Sequence, residues 1–347
     1  MSLSDLIKVP LAAPAILTSE KSFRKNVVLG SARLNAMGLH RRRVALAHAM
    51  SARRRAALAP RIDPAERAAF DKNGYVMRRN ALPPELLAAV RAEIATVPRP
   101  VWQMRQGQTV NRVIPLPAGD DGSAVAALGR WARSPSVRDL VGYAAGRSGH
   151  IVTSLQTVAV DPASGDADPQ ANLHADTFHP TAKFWLFLND VGADDGPFSY
   201  VPGSHRLTPQ RLEWEHAQAQ HAARQSDKHH AAGSFRLPDS ELGTLGYGPL
   251  EMFPVEGNTL VVADTYGFHR RTPSNRPTIR TALYGVLRRN PFVPWNGLDA
   301  LDLPVLRDRT MRTHLAMEDR RAKAGKSIVY ENAGVILAET PPASAHR

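Results

Sequence analysis

Four short runs rich in β-branched and aromatic residues follow one another in the second half of the chain. They cover residues 150–162, 182–191, 258–266 and 278–288, and Gly, Pro and Asp bound them. No helical pattern alternates with them, which argues against a parallel doubly wound sheet. We therefore expect a mainly β protein with flanking helices, built on a sandwich or barrel.

The N-terminal end is basic and helical in pattern. Residues 1–60 carry eleven Lys or Arg against two acidic residues, so this end holds +9 of the net charge of +12. Within 33–58, apolar residues recur at helical spacing and two arginine triplets interrupt them, Arg41–Arg43 and Arg53–Arg55. Residues 64–97 also have a helical pattern, with a break at 72–75.

Three interpretations of the basic segment 33–58 fit its pattern. It could be an amphipathic helix docked on the main domain with a solvated basic face, an interfacial helix on anionic lipid, or a groove for an acidic substrate. A nucleic-acid arm is disfavoured because no aromatic residues interleave the arginines and the main body is nearly neutral. No run of about 18 apolar residues occurs, so we expect no transmembrane helix. We expect a cytoplasmic location, with peripheral contact at the inner face of a membrane as one option.

The stretch NLHADTFHP (172–180) has the composition of a metal site. The chain has no cysteine, so a metal would be held by imidazole and carboxylate, a ligand set suited to iron, manganese, zinc or copper. In an extended chain His174 and Asp176 project to the same side. His179 would project to the other side, and Pro180 indicates that the strand has ended, so we predict His179 to be a loop residue.

A third ligand and a buried cation lie further along the chain. His269 directly follows a strand-like run, and Arg280 shares a strand face with Ala282 and Tyr284. A buried guanidinium needs an anion, which could be a protein carboxylate or one carboxylate of a small diacid held by the guanidinium fork. Two histidines and one carboxylate form the arrangement of non-haem Fe(II) oxygenases, which leaves coordination positions open.

The segment 206–250 is polar and contains four histidines. Their spacing defines no common face, so we interpret the segment as a mobile, solvated insertion rather than a metal site. Within it, Thr208 and Pro209 predict the start of a helix.

The chain resembles the phytanoyl-CoA dioxygenase family, whose members are Fe(II)/2-oxoglutarate oxygenases built on a double-stranded β-helix (a cupin-like jelly roll). The resemblance extends over about residues 65–290 and is carried by FDKNGYVMRRNALPPELLAAVRAEI (70–94), LHADTFHP (173–180), KFWLFLNDVGADDGPFSYVPGSH (183–205) and FHRRTPSNRPTIRTAL (268–283). It implies Fe(II), 2-oxoglutarate and O₂ as cofactor and co-substrates.

The resemblance also implies roles for single residues. It makes His174, Asp176 and His269 the iron ligands, which are also the catalytic centre, and places Arg280 and Trp185 at the co-substrate. The family has a serine two positions after the distal histidine; this chain has Arg271 there, so Thr272 is predicted to take over that contact. Gln156, on an early strand, is predicted from its position as a further polar contact.

The implied organisation is a basic helical extension (1–62), a jelly-roll domain (63–300) with a helical insertion at about 206–250, and a helical or extended tail (301–347).

The implied reaction is hydroxylation of an unactivated C–H bond with release of succinate and CO₂. Asp176 favours hydroxylation because related halogenases have a small residue there. The basic extension suggests an acidic or lipid-linked substrate such as the Kdo sugar of lipopolysaccharide; an acyl-CoA or a secondary metabolite fits the site as well. The alternative is a non-catalytic jelly-roll module that binds an acidic sugar or lipid.

Overall fold

A computed structural model describes residues 9–163, 165–166 and 168–342. The helices are α1 (Ala32–Ala36), α2 (Leu39–Leu58), α3 (Pro64–Asn73), α4 (Pro84–Thr96), α5 (Ala124–Ala132), α6 (Pro135–Ala144), α7 (Pro209–His221), α8 (Lys228–Ala231), α9 (Pro304–Arg307) and α10 (Thr310–Lys323). The strands are β1 (Tyr75–Arg78), β2 (Arg99–Gln106), β3 (Thr109–Pro115), β4 (Val152–Val160), β5 (Ala182–Phe187), β6 (Phe198–Tyr200), β7 (Glu251–Met252), β8 (Thr259–Asp264), β9 (His269–Arg271), β10 (Thr278–Leu287) and β11 (Glu331–Ile336).

Two antiparallel sheets form a jelly roll, which confirms the predicted fold class. The large sheet has eight strands in the order β1-β8-β5-β10-β4-β3-β2-β11, and the small sheet has the order β7-β6-β9. The four strand-like runs of the sequence are β4, β5, β8 and β10, which lie side by side in the large sheet. Their many β-branched and aromatic residues suit a sheet that is covered on both faces.

The two faces of the large sheet have different coverings. In β5, Phe184 and Leu186 point outward and are buried in the main core, together with residues of α5 and α6. Lys183, Trp185 and Phe187 alternate with them and point inward, toward the small sheet. A charged residue on this inner face is a departure from a simple apolar core.

The basic helix α2 is docked on the jelly roll, but its arginines point in two directions. Arg43 and Arg54 are 4% and 3% exposed. Arg54 donates from Nε to the carbonyl of Gly146 at 2.7 Å and from Nη1 to the carbonyl of Val293 at 2.6 Å. The prediction of a solvated basic face was therefore wrong for these two arginines, while Arg42 and Arg53 are exposed.

The segment 206–250 is built into the fold, so its interpretation as a solvated insertion was wrong. The predicted helix start is confirmed, because Thr208 Oγ1 accepts a hydrogen bond from the Arg211 backbone in α7. Arg211 and Glu215 of this helix are fully buried and paired at 3.0 Å. Glu215 also bonds His40 Nε2 of α2 at 2.9 Å. This buried network fastens the insertion to the N-terminal helix.

The C-terminal residues extend the large sheet. β11 pairs with β2, from Glu331 opposite Gln103 to Ile336 opposite Arg99. Its own outer side has no partner strand within the described residues. Among the helices in the described ranges, none is both long enough and apolar enough to cross a membrane.

Candidate active site

A cavity of about 260 Å³ lies between the two sheets. Its floor is the inner face of β2, β3, β4, β5 and β10, and its roof comes from β6, β9 and the extended segment around His174. Met311 of α10 and Tyr330, just before β11, also line it. The cavity is slightly smaller than most ligand pockets, which measure about 300–1000 Å³.

Three of the predicted residues meet at one end of this cavity. His174, Asp176 and His269 each offer a ligand atom, and these atoms lie within 4.8 Å of one another. Asp176 Oδ1 is 3.8 Å from Nε2 of both histidines. The backbone brings them together, because His174 and His269 face each other in an antiparallel bridge.

Backbone carbonyls fix both imidazole rings. His174 Nδ1 lies 2.7 Å from the carbonyl of Asn172, and His269 Nδ1 lies 2.9 Å from that of Gly267. With the proton on Nδ1, the Nε2 lone pair is free for a metal. His269 Nε2 is buried and has no hydrogen-bond partner. Burial lowers the pKa of His269 to about 4 and that of His174 well below its usual range, so both rings are neutral at pH 7.

Two lysines hold Asp176 from the other side. Lys183 Nζ lies 2.6 Å from Asp176 Oδ2, and Lys21 Nζ donates to the Asp176 carbonyl at 2.5 Å. Burial would raise the pKa of Asp176, but the Lys183 ammonium holds it well below its usual range. Asp176 is therefore an ionised carboxylate, and its Oδ1 atom faces the two histidines.

Arg280 lines the same cavity without a carboxylate partner. Its Nη1 donates to the carbonyl of Gly196, and its Nε is buried without a hydrogen-bond partner. Burial, reinforced by the neighbouring Arg271, lowers the pKa of Arg280 to about 9. Among the described residues no carboxylate forms a salt bridge with Arg280, so the interpretation as an internal ion pair was wrong. A bound carboxylate would satisfy this guanidinium.

The other predicted contacts divide into two groups. Trp185 and Gln156 line the cavity, and the Trp185 ring packs on Phe198 with centroids 4.6 Å apart. Thr272 does not line it: its hydroxyl donates to the carbonyl of Pro197 at 2.6 Å. Arg271 lies in the cavity instead, held by Asp168 at 2.5 Å. The role of Thr272 at the co-substrate stays a prediction.

Sequence reasoning missed the two lysines. His179 lies outside the three-residue cluster, and its Nδ1 bonds the carbonyl of Pro180. Lys183 has a recognisable signal in the sequence, because it shares the inner face of an otherwise apolar strand with Trp185. Lys21 carries none, since its position depends on how the N-terminal segment folds back across the domain.

Residues 70–238 match the family model of phytanoyl-CoA dioxygenase. These residues belong to the phytanoyl-CoA dioxygenase family. The match spans His174 and Asp176 but ends before His269 and Arg280. No curated protein gives a significant match to the chain.

Solved structures that resemble the chain are distant in sequence. The epimerase SnoN, solved with Fe³⁺, alpha ketoglutarate and nogalamycin RO, shares 18% identity over 65% of this chain and 84% of that chain, with a TM-score of 0.42. EctD from S. alaskensis with bound Fe shares 14% over 69% and 81%, with a TM-score of 0.42. HygX from Streptomyces hygroscopicus, with nickel, 2-oxoglutarate and hygromycin B, shares 17% over 71% and 94%, with a TM-score of 0.41.

Family and site agree on the class of chemistry. The chain is a non-haem Fe(II)/2-oxoglutarate-dependent oxygenase that uses O₂. The residues present fit these groups: a neutral histidine pair and an ionised carboxylate suit Fe(II), and the unpaired Arg280 suits a dicarboxylate. The substrate has to be inferred from this chain's own residues.

Proposed function

We propose that this phytanoyl-CoA dioxygenase relative hydroxylates an unactivated C–H bond of an acidic organic substrate, with release of succinate and CO₂. Fe(II), 2-oxoglutarate and O₂ together supply the oxidising power for that step. His174, Asp176 and His269 would hold the metal, and Arg280 would bind the far carboxylate of 2-oxoglutarate. The observation that carries the proposal is a buried Arg280 without a carboxylate partner in the cavity that the three ligands share.

The protein's part in this reaction is positioning. Trp185 and Phe198 form an apolar wall beside the co-substrate path, and Gln156 offers an amide to a polar group. The sheets enclose the cavity, which limits the access of water. Asp176 supports hydroxylation because a carboxylate occupies the ligand position.

The acidic substrate is supported by the charges of the cavity. Lys183, Arg270, Arg271 and Arg280 all line it. An acidic sugar such as the Kdo of lipopolysaccharide belongs to the proposed substrate class. A cytoplasmic location with contact at the inner face of an anionic membrane is part of the same proposal, and the exposed Arg33 of α1 and Arg53 of α2 would supply the charge.

The test is anaerobic binding of Fe(II) and 2-oxoglutarate by the purified protein, followed through the weak visible metal-to-ligand charge-transfer band. We expect a band in the wild type, loss of the band in His174→Ala, and at least about tenfold weaker 2-oxoglutarate binding in Arg280→Ala, because one charge-assisted contact is worth about 1.5–3 kcal/mol.

Matched controls are His179→Ala, a buried histidine outside the ligand cluster, and Arg276→Ala, an exposed arginine paired with Asp195. Both should keep the wild-type band. Absence of the band from iron-replete wild-type protein would exclude the oxygenase proposal and favour a non-catalytic module that binds an acidic sugar or lipid.

A further inference from the structure

Four cationic side chains gather on one flank of Asp176. This cationic cluster consists of Lys21, Lys183, Arg236 and Arg288. Its members come from the N-terminal segment, β5, the segment after α8 and the end of β10. Lys21 lies within electrostatic range of the other three and of Asp176.

The cationic cluster lies at the opposite end of the cavity floor from Arg280. Lys183 of β5 pairs with Val286 of β10, six residues along that strand from Arg280. Arg288 follows β10 on the side-chain face that Arg280 and Tyr284 share. The charges that act on Arg280 are a separate set, namely Arg271, Asp168 and Asp195. A 2-oxoglutarate molecule held by Arg280 would therefore leave the cluster free.

The cluster has unused hydrogen-bond donors. Arg236 lies opposite His174 in an isolated bridge, its Nε is 3.7 Å from Asp227 Oδ2, and its Nε and Nη1 are buried without hydrogen-bond partners. Arg288 is exposed and makes none of the hydrogen bonds or ion pairs found among the described residues. The ammonium of Lys21 has one bond, to the Asp176 carbonyl.

The charge of this region is not balanced by the protein. Among the described residues, Asp176 pairs with Lys183 and lies near Lys21 and Arg236. Asp227 Oδ2 is 3.7 Å from Arg236 Nε, and Arg288 lies near Lys21 and Lys183. Fe(II) would add two further positive charges. An anion is the group that would offset this repulsion.

We propose that the cationic cluster binds an anionic group of the substrate, a carboxylate or a phosphate, beside the metal. The inference rests on the proposed function and adds the site that recognises the substrate. An anion held by Arg236 and Arg288 would anchor the substrate at the rim, so that its neighbouring carbons extend toward the metal. The small cavity would take the reacting part, and the rest of the substrate would stay outside.

The test measures anion binding to the full chain loaded with Fe(II) and saturating 2-oxoglutarate, without oxygen. Inorganic phosphate and the simple sugar acid glucuronate are the probes, titrated by calorimetry into wild type, Arg236→Gln and Arg288→Gln. Arg42→Gln, on the exposed side of α2, is the control for loss of one positive charge. The charge-transfer band is recorded on every sample.

We expect the wild type and Arg42→Gln to bind at least one probe alike, and each cluster variant to bind it about tenfold more weakly. The tighter probe identifies the group as phosphate or carboxylate. If the band forms but neither probe binds, or if the cluster variants bind like the wild type, the cluster is not a substrate site although the oxygenase proposal stands. If the band is absent, both proposals fail. Arg288 is exposed, so its variant should fold even if Arg236→Gln does not.

Discussion

At the scale of single residues, Asp176 uses its two carboxylate oxygens for different partners. Oδ1 faces Nε2 of both histidines at 3.8 Å, and Oδ2 is held by Lys183 at 2.6 Å. Because Lys183 binds Oδ2, only Oδ1 of Asp176 is left to bind a metal. Lys183 would thereby keep Asp176 from binding a metal through both oxygens, which would leave positions for 2-oxoglutarate.

Lys183→Met tests this role. The neutral side chain frees Oδ2, so that Asp176 can take a second position on the metal. We expect binding of Fe(II) alone to be no weaker, because a nearby positive charge has been removed. Binding of 2-oxoglutarate should fall about tenfold, the order found for residues that orient metal ligands. Both affinities can be measured by anaerobic titration.

Lys25→Met is the matched control, since Lys25 is exposed on the N-terminal segment. It should reproduce both wild-type affinities. Unchanged 2-oxoglutarate binding in Lys183→Met would mean that Lys183 does not set how Asp176 ligates the metal.

Most residues of this site could be predicted from the two-residue periodicity of extended chains. The two-residue repeat placed His174 beside Asp176, and the same repeat placed Arg280 on an inward face. Applied to β5, that rule would also have found Lys183. Lys21 and Arg236 could not be found in this way, because long-range folding of irregular segments brings them to Asp176 and no local pattern encodes it.

At the scale of elements, α2 is fastened through arginines that cap backbone carbonyls. Arg54 reaches the carbonyls of Gly146, Pro291 and Val293, all outside its own helix. The bonds to Gly146 and Pro291 are buried and the bond to Val293 is partly buried, and each carbonyl would lose this donor without the guanidinium. The arginine therefore ties the N-terminal helix to two separate loops.

Replacing Arg54 with Met should lower the free energy of unfolding by about 2–3 kcal/mol, because three carbonyls lose their donors at roughly 1 kcal/mol each. Arg53→Met, the exposed neighbour on the same helix, should change it by less than about 0.5 kcal/mol. Urea denaturation measures both. Equal midpoints for the two variants would show that the buried contacts add no net stability.

The strands that the sequence predicted are those with a covered apolar face. β4, β5, β8 and β10 contain continuous β-branched and aromatic runs, and they form adjacent strands of the large sheet. β2, β3 and β11 were missed for a physical reason. β2 and β3 carry polar residues such as Gln106 and Asn111 on the face that lines the cavity, and β11 is an exposed edge, so none of the three strands shows a continuous apolar run.

At the scale of the whole molecule, buried neutral histidines make stability sensitive to acid. Burial lowers the pKa of His179 and of His205 to about 3, against about 6.5 in the unfolded chain. Below pH 6.5 the unfolded state binds the proton and the folded state does not. Each histidine therefore removes up to about 1.4 kcal/mol of stability per pH unit as the pH falls from 6.5 toward 3.

We expect the unfolding free energy to be steady from pH 8 to 7 and to fall steeply from pH 6 to 5. His205→Leu should reduce the slope of the unfolding free energy against pH by the contribution of one proton, about 1.4 kcal/mol per pH unit. His221→Leu, at an exposed position, should leave this slope unchanged. Thermal or urea unfolding across this pH range provides the measurement. A flat profile in the wild type would contradict the burial of uncharged imidazoles.

β11, the last strand among the described residues, should protect the sheet from self-association. β11 covers the edge of β2, and it is short, mostly exposed and interrupted by a register shift between Asn332 and Gly334. Such irregular edges are poor templates for a further strand. Shortened chains that end before residue 331 would expose the regular eight-residue β2 instead. Loss of residues 331–347 would therefore appear first as aggregation, before any catalytic defect could be measured.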